Sequence, residues 1–100
     1  MIVGQLVKQP SEVFPISMTF AAELASGESV SSAVVTARNA NTNASSTSIV
    51  LSGSATVNTP LVTQTVTGGV NGTKHIITFK ATTSLANIYE GEVELLIKEE

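Results

Sequence analysis

The sequence predicts an all-β chain of seven short strands, and two observations carry that expectation. About a quarter of the residues are Ser or Thr and Val and Ile are abundant, whereas the long runs of Ala, Leu, Glu and Lys that favour helix are absent. Turn signals also recur at short spacings: Gln9-Pro10-Ser11, Ala25 to Glu28, Asn39 to Asn43, Ser52-Gly53-Ser54, Asn58-Thr59-Pro60, Gly68-Gly69, Asn71-Gly72 and Ala86-Asn87. Such punctuation suits a sandwich or barrel of short strands. A chain of 100 residues with 42% hydrophobic content is the size of one domain with one core, so residues 1–100 are expected to form a single domain.

The strands are expected at 2–8, 14–22, 32–38, 46–51, 61–67, 74–83 and 88–98. The first is apolar but interrupted at Gly4 and Gln5, and it stops at Lys8. In the second, Phe14, Ile16, Met18 and Phe20 share one face, while Pro15, Ser17 and Thr19 share the other. Pro15 cannot donate to a ladder, which places this strand at a sheet edge or bulges it. The third contains Val34 as its core residue. The fourth follows the small, polar stretch Asn39 to Ser48, which has no obvious anchor and reads as a mobile loop or a projecting hairpin tip. The fifth follows the Asn58-Thr59-Pro60 turn. In the sixth, alternation puts His75, Ile77, Phe79 and Ala81 on one side. In the last, Val93, Leu95 and Ile97 face the core and Glu92, Glu94 and Lys98 face water, while Leu96 breaks the pattern. Seven strands is the immunoglobulin-like number, so the expected architecture is a seven-stranded antiparallel immunoglobulin-like β-sandwich. Its core would include Ile16, Met18, Phe20, Val34, Ile77, Phe79, Val93, Leu95 and Ile97.

Composition excludes several functions. A net charge of −3 with five Lys and Arg gives no basic patch, and four aromatic residues give no stacking platform, so no nucleic-acid partner is expected. With no cysteine there is no disulfide, thiolate catalysis or sulfur-ligated zinc. The N-terminus lacks a basic region followed by a long apolar run, and no window approaches a membrane span. The chain therefore reads as soluble, made in the cytoplasm and without a membrane partner.

Three features invite a chemical reading. His75 is the chain's only histidine, and no Cys, Asp or second His stands near it in sequence, so neither a metal site nor a catalytic residue is expected. It follows a turn glycine, Gly72, at the start of the sixth strand. Immunoglobulin-like domains carry there a tyrosine whose hydroxyl bonds back to the preceding corner, and His75 is expected to be a structural corner of that kind, acting through a ring nitrogen. Glu90, Glu92 and Glu94 line one face of the last strand, and with no aspartate in the chain they read as a solvated strand face rather than a calcium or acid/base site. Gly68 to Gly72 lacks the Lys-Ser/Thr ending of a phosphate loop and reads as turn chemistry. Asn43-Ala44-Ser45 and Asn71-Gly72-Thr73 match the glycosylation sequon, which carries meaning only in a secretory pathway. No enzyme and no cofactor are expected.

Val7 to Glu12, of the form K-x-P-S-E, Phe20 to Leu24, Ser26 to Ala33 with the strand VVTA after it, and Gly69 to Thr83 occur in this order. Together these phrases resemble a family of small immunoglobulin-like virion proteins of the fiber-tail adaptor type, found among tailed-phage and prophage structural genes. The resemblance covers most of the chain and is least definite between Asn39 and Thr59. His75 stands where relatives often have Tyr, in keeping with the corner reading. The resemblance implies a non-enzymatic adaptor or assembly module at the tail, neck or fiber attachment region of a phage particle. It would be made in the host cytoplasm and incorporated into the virion, with other phage structural proteins as partners.

A module placed in a ring of the particle needs a surface for a neighbour, and self-association into a homo-oligomer is one way to meet that need. The candidate contact is the N-terminal segment, through Ile2, Val3, Leu6 and Val7, together with Leu96. These side chains are either a partner contact or the cover of one end of the domain's own core, and Leu96 is otherwise an ordinary surface residue. The alternative function is an immunoglobulin-like surface adhesion module binding a protein or a carbohydrate. It would need an export signal or a larger parent chain and, for sugars, exposed aromatics.

Overall fold

A computed structural model describes residues 2–99, with side chains described from residue 4 onward. Seven strands appear in order: β1 (Ile2–Lys8), β2 (Phe14–Thr19), β3 (Val30–Asn39), β4 (Leu51–Asn58), β5 (Leu61–Val66), β6 (Lys74–Thr83) and β7 (Ile88–Ile97). A single helical turn, α1 (Thr47–Val50), lies between β3 and β4. The strands form two sheets, ordered β1-β7-β6-β3 and β2-β5-β4. The fold is all-β, and the described part measures 43 × 23 × 20 Å.

Two corrections concern the strands. The sheets are not antiparallel throughout, because β1 runs parallel to β7, from Ile2 opposite Glu92 to Lys8 opposite Ile97. A parallel pair needs a long connection, and here the rest of the chain supplies it. The fourth strand was expected at 46–51 but runs from Leu51 to Asn58, straight through the Ser52-Gly53-Ser54 turn signal. Gly53, at φ 70°, marks a bulge where the pairing with β5 slips between Ser52 and Thr56. The buried Gln64 on β5 repairs the gap, its Nε2 donating to Ser52 O (3.0 Å), Gly53 O (3.2 Å) and Thr65 O (3.1 Å).

Both sheets contribute to one core. Met18, Phe20, Ile77, Phe79, Leu95 and Ile97 are buried in it as expected, and Ile16 and Val93 pack against it half-buried. Val34 is 62% exposed, whereas Val35 is 9% exposed and inward, which corrects the phase expected of β3. The cause is a bulge: Val30 pairs with Thr83 but Ser32 with Thr82, so one extra residue flips every later side chain of β3 to the opposite face. Pro15 does lie on an edge strand, β2, where a missing donor does least harm. The Asn39–Ser48 stretch has the anchors that its composition hid. Asn39 Oδ1 accepts from Asn41 N (2.8 Å) and Thr42 N (3.1 Å), Asn39 N donates to Ala44 O (2.8 Å), and Arg38 bridges Ser45.

Candidate functional site

The polar side chains that burial singles out are His75 with Ser46, Glu28 with Thr83, Lys8 and Gln64, and each is occupied by the fold itself. His75 opens β6 on its inward face, as expected. Its Nδ1 lies 2.9 Å from Ser46 Oγ and its Nε2 lies 3.0 Å from Thr73 Oγ1. The Thr73 hydroxyl donates onward to Val70 O at 2.6 Å, so Nε2 carries the proton towards Thr73 and Nδ1 accepts from Ser46. Burial holds the imidazole pKa below its ordinary value. Ser46 precedes α1 but makes no side-chain cap there, its hydroxyl being given to His75. The ring thus joins the corner before β6 to the turn before β4.

Lys8 is fully buried, with 0% exposure, and its three ammonium donors meet three backbone carbonyls: Gly68 O (2.6 Å), Gln9 O (2.8 Å) and Pro10 O (3.3 Å). Burial lowers its pKa, and the nearby Glu12 carboxylate opposes that shift. Glu12 in turn closes the 9–12 turn, its Oε1 accepting from Gln9 N at 2.7 Å while its own N donates to Gln9 O. Alternation puts Leu6 and Lys8 on the same side, a signal that could have revealed the inward lysine. Gly68 and Gly69 are held at φ 53° and 96°, which is the turn chemistry expected of them. A Cβ on Gly69 would stand 2.8 Å from Ile97 Cγ1.

At the opposite end, Glu28 accepts from Ala25 N (2.8 Å), Thr83 Oγ1 (2.5 Å) and Asn87 Nδ2 (2.9 Å). The Ala25 amide first, then the Thr83 and Asn87 side chains, hold its carboxyl below the ordinary carboxylate value. Sequence gave little warning of this carboxylate, which reaches back across a tight turn. Two of the three glutamates of β7 are engaged across strands: Glu92 pairs with Arg38 (3.5 Å) and Glu94 accepts from Gln5 (2.9 Å), while Glu90 is exposed. Among the described residues no three His, Cys, Asp or Glu side chains gather as a metal site would require, and no helix is long and apolar enough to cross a membrane.

The candidate partner residues divide. The side chains of Ile2 and Val3 lie outside the described residues. Leu6 is half-buried against the core, which is the covering role. Val7, 53% exposed, stands opposite the half-buried Leu96 on the outward face of the β1–β7 pair. Ile76 shares that outward face, yet is buried between Arg38 and Glu94 in the register, a position that alternation alone would have exposed. A second feature was not foreseen: an open-sided groove of about 370 Å³ along the seam where β1 and β2 face each other across the two sheets.

Compared with known protein families, residues 8–96 match the family described as podophage GP4 fiber-tail adaptor protein gp77. The chain belongs to this fiber-tail adaptor family. No curated protein matches it. Membership supports a structural role as a tail adaptor and makes the chain a component of the phage particle that works through tail and fiber proteins. The match begins at Lys8, so it includes the buried lysine and its turn, Glu28 with its turn and His75 with its corner, while the β1 residues before Lys8 fall outside it.

Proposed function

We propose that the protein is a non-enzymatic adaptor module of the virion, a single immunoglobulin-like β-sandwich domain that joins structural proteins at the tail, neck or fiber attachment region. The observation that carries the proposal is the family match over residues 8–96. The strand order supports the immunoglobulin-like reading: the second, fourth and fifth strands lie in one sheet and the third, sixth and seventh in the other. This is the partition of the constant-type domain, with the first strand moved across to pair with the last. In the same reading His75 is a structural corner, and the buried titratable groups serve the scaffold rather than a reaction, because each is occupied by hydrogen bonds to its own chain.

One partner contact is the outward face around Val7 and Leu96, at the edge of the four-stranded sheet. Self-association there is an alternative use of the same edge, and neither nucleic acid nor membrane is a partner. The test is binding of the purified chain to tails purified from particles that lack it. Val7→Ser with Leu96→Ser is expected to weaken attachment at least tenfold while leaving the melting temperature within a few degrees of the wild type. Unchanged attachment would remove this face from the contact, and no binding of the wild type to tails would remove the adaptor function itself.

A further inference from the structure

An adaptor must hold two neighbours, and the face around Val7 and Leu96 provides for one. We propose that the seam between β1 and β2 is a second docking site, which takes an extended apolar segment carrying Lys or Arg from a neighbouring virion protein. The proposal rests on the adaptor reading and adds to it the place and the chemistry of a partner.

The seam has the backbone such a segment needs. β2 is an edge strand with β5 on one side only. Pairing of β1 with β7 begins at Ile2 opposite Glu92, so residues 88–91 of β7 have β6 on one side and no strand among the described residues on the other. Two strips of strand edge therefore border the same groove, and a free edge is the template on which an extended peptide adds as a further strand. The usual protection of such an edge by charged side chains is missing from β2, whose sequence is FPISMT and whose only guard is Pro15.

The lining specifies the peptide. Leu6, Ile16, Met18, Phe20 and Val93 make it apolar, and the Met18 side chain packs directly on Gly91, where a Cβ would collide with its sulfur. Such a floor accepts the alternate apolar side chains of an extended segment. The charged groups along the groove are Glu23 and Glu90, with no Lys or Arg among the lining residues. Both carboxylates are exposed and neither is in an ion pair among the described residues, although Lys80 stands opposite Glu90 in the register. A groove of this sign selects a basic segment and repels an acidic one. A small-molecule site would instead need several polar groups converging on an enclosed space, and this groove is open along its side.

The experiment uses the full chain and tails purified from particles lacking it. Glu23→Lys combined with Glu90→Lys changes only exposed side chains, with Glu99→Lys as a control outside the groove. The double reversal is expected to weaken binding to tails about tenfold while the control binds as wild type. Hydrogen exchange of the bound wild-type chain should show new protection at residues 16–19 and 88–91. Full-strength binding by the double variant, or equal exchange at those amides in the free and bound chain, would overturn the docking site and leave the adaptor reading standing. Protection of the same amides on self-association without tails would assign the groove to a second copy and overturn the proposed occupant. Failure of the wild-type chain to bind tails at all would overturn both.

Discussion

His75 shows how much of a functional-looking residue can be taken up by the fold. Both ring nitrogens are hydrogen-bonded, to Ser46 and to Thr73, inside a buried pocket. His75→Ala removes the packed ring and leaves the buried Ser46 hydroxyl without its acceptor, while Thr73 keeps its bond to Val70, at an expected cost of about 2–4 kcal/mol in chemical denaturation. The acid limb of stability should carry the same signature. Because burial depresses the folded-state pKa, the unfolded chain binds the proton more readily, so stability is complete above about pH 6.5 and falls as pH drops towards the folded value. Glu28 is likewise depressed, and its contribution is present above the ordinary carboxylate pKa and is lost as pH falls through its lower folded value. Stability measured against pH should therefore fall in two windows, and His75→Ala should abolish the first and spare the second. A single acid transition that this variant leaves unchanged would contradict the assignment.

At the scale of the element, β3 and β4 show how one residue decides a face. The bulge at Ser31 inverts β3, so Val35 and Ala37 pack in the core and Val34 faces water. Val35→Ala should cost about 2 kcal/mol through lost burial and a residual cavity, and Val34→Ala should stay within about 0.5 kcal/mol of the wild type. Equal effects, or the reverse order, would mean that the expected phase without a bulge is correct. The same device lengthens β4: a glycine that reads as a turn is absorbed into a strand because Gln64 takes up the carbonyls the slipped ladder leaves open. Neither bulge is visible in the local pattern, since what specifies it lies on the partner strand.

Across the whole molecule, Lys8 closes one end. It ends β1 in one sheet and grips Gly68, which follows β5 of the other, so this hydrogen bond ties the sheets together while those to Gln9 and Pro10 fix the turn that leaves β1. Lys8→Met keeps most of the apolar stem but leaves three carbonyls without this donor, and a loss of about 2–4 kcal/mol is expected from denaturant unfolding. That is a large fraction of the roughly 5–15 kcal/mol that stabilises a domain. A variant as stable as the wild type would show that water satisfies the carbonyls and that the lysine is not a clasp. Removing residues 1–8 would discard this clasp together with β1, which is why the partner contact is better tested with Val7 and Leu96.

The sequence by itself determined the all-β class, six of the seven strands to within a few residues, six of the buried core side chains and the inward position of His75. These follow from alternation and turn residues, which act between neighbours along the chain. The phrases around Lys8, Glu28 and His75 also resemble the adaptor family by sequence alone. Tertiary structure alone decided the parallel docking of β1 on β7, the two bulges, the burial of Lys8 and Glu28, and the groove between β1 and β2. Each depends on groups far apart in sequence: Lys8 on Gly68, Glu28 on Thr83 and Asn87, and the bulge of β4 on Gln64. Alternation can point Lys8 inward, but whether a charge stays buried or a sheet edge stays open is not written locally, because its free energy is set by the partner that the fold does or does not bring to it.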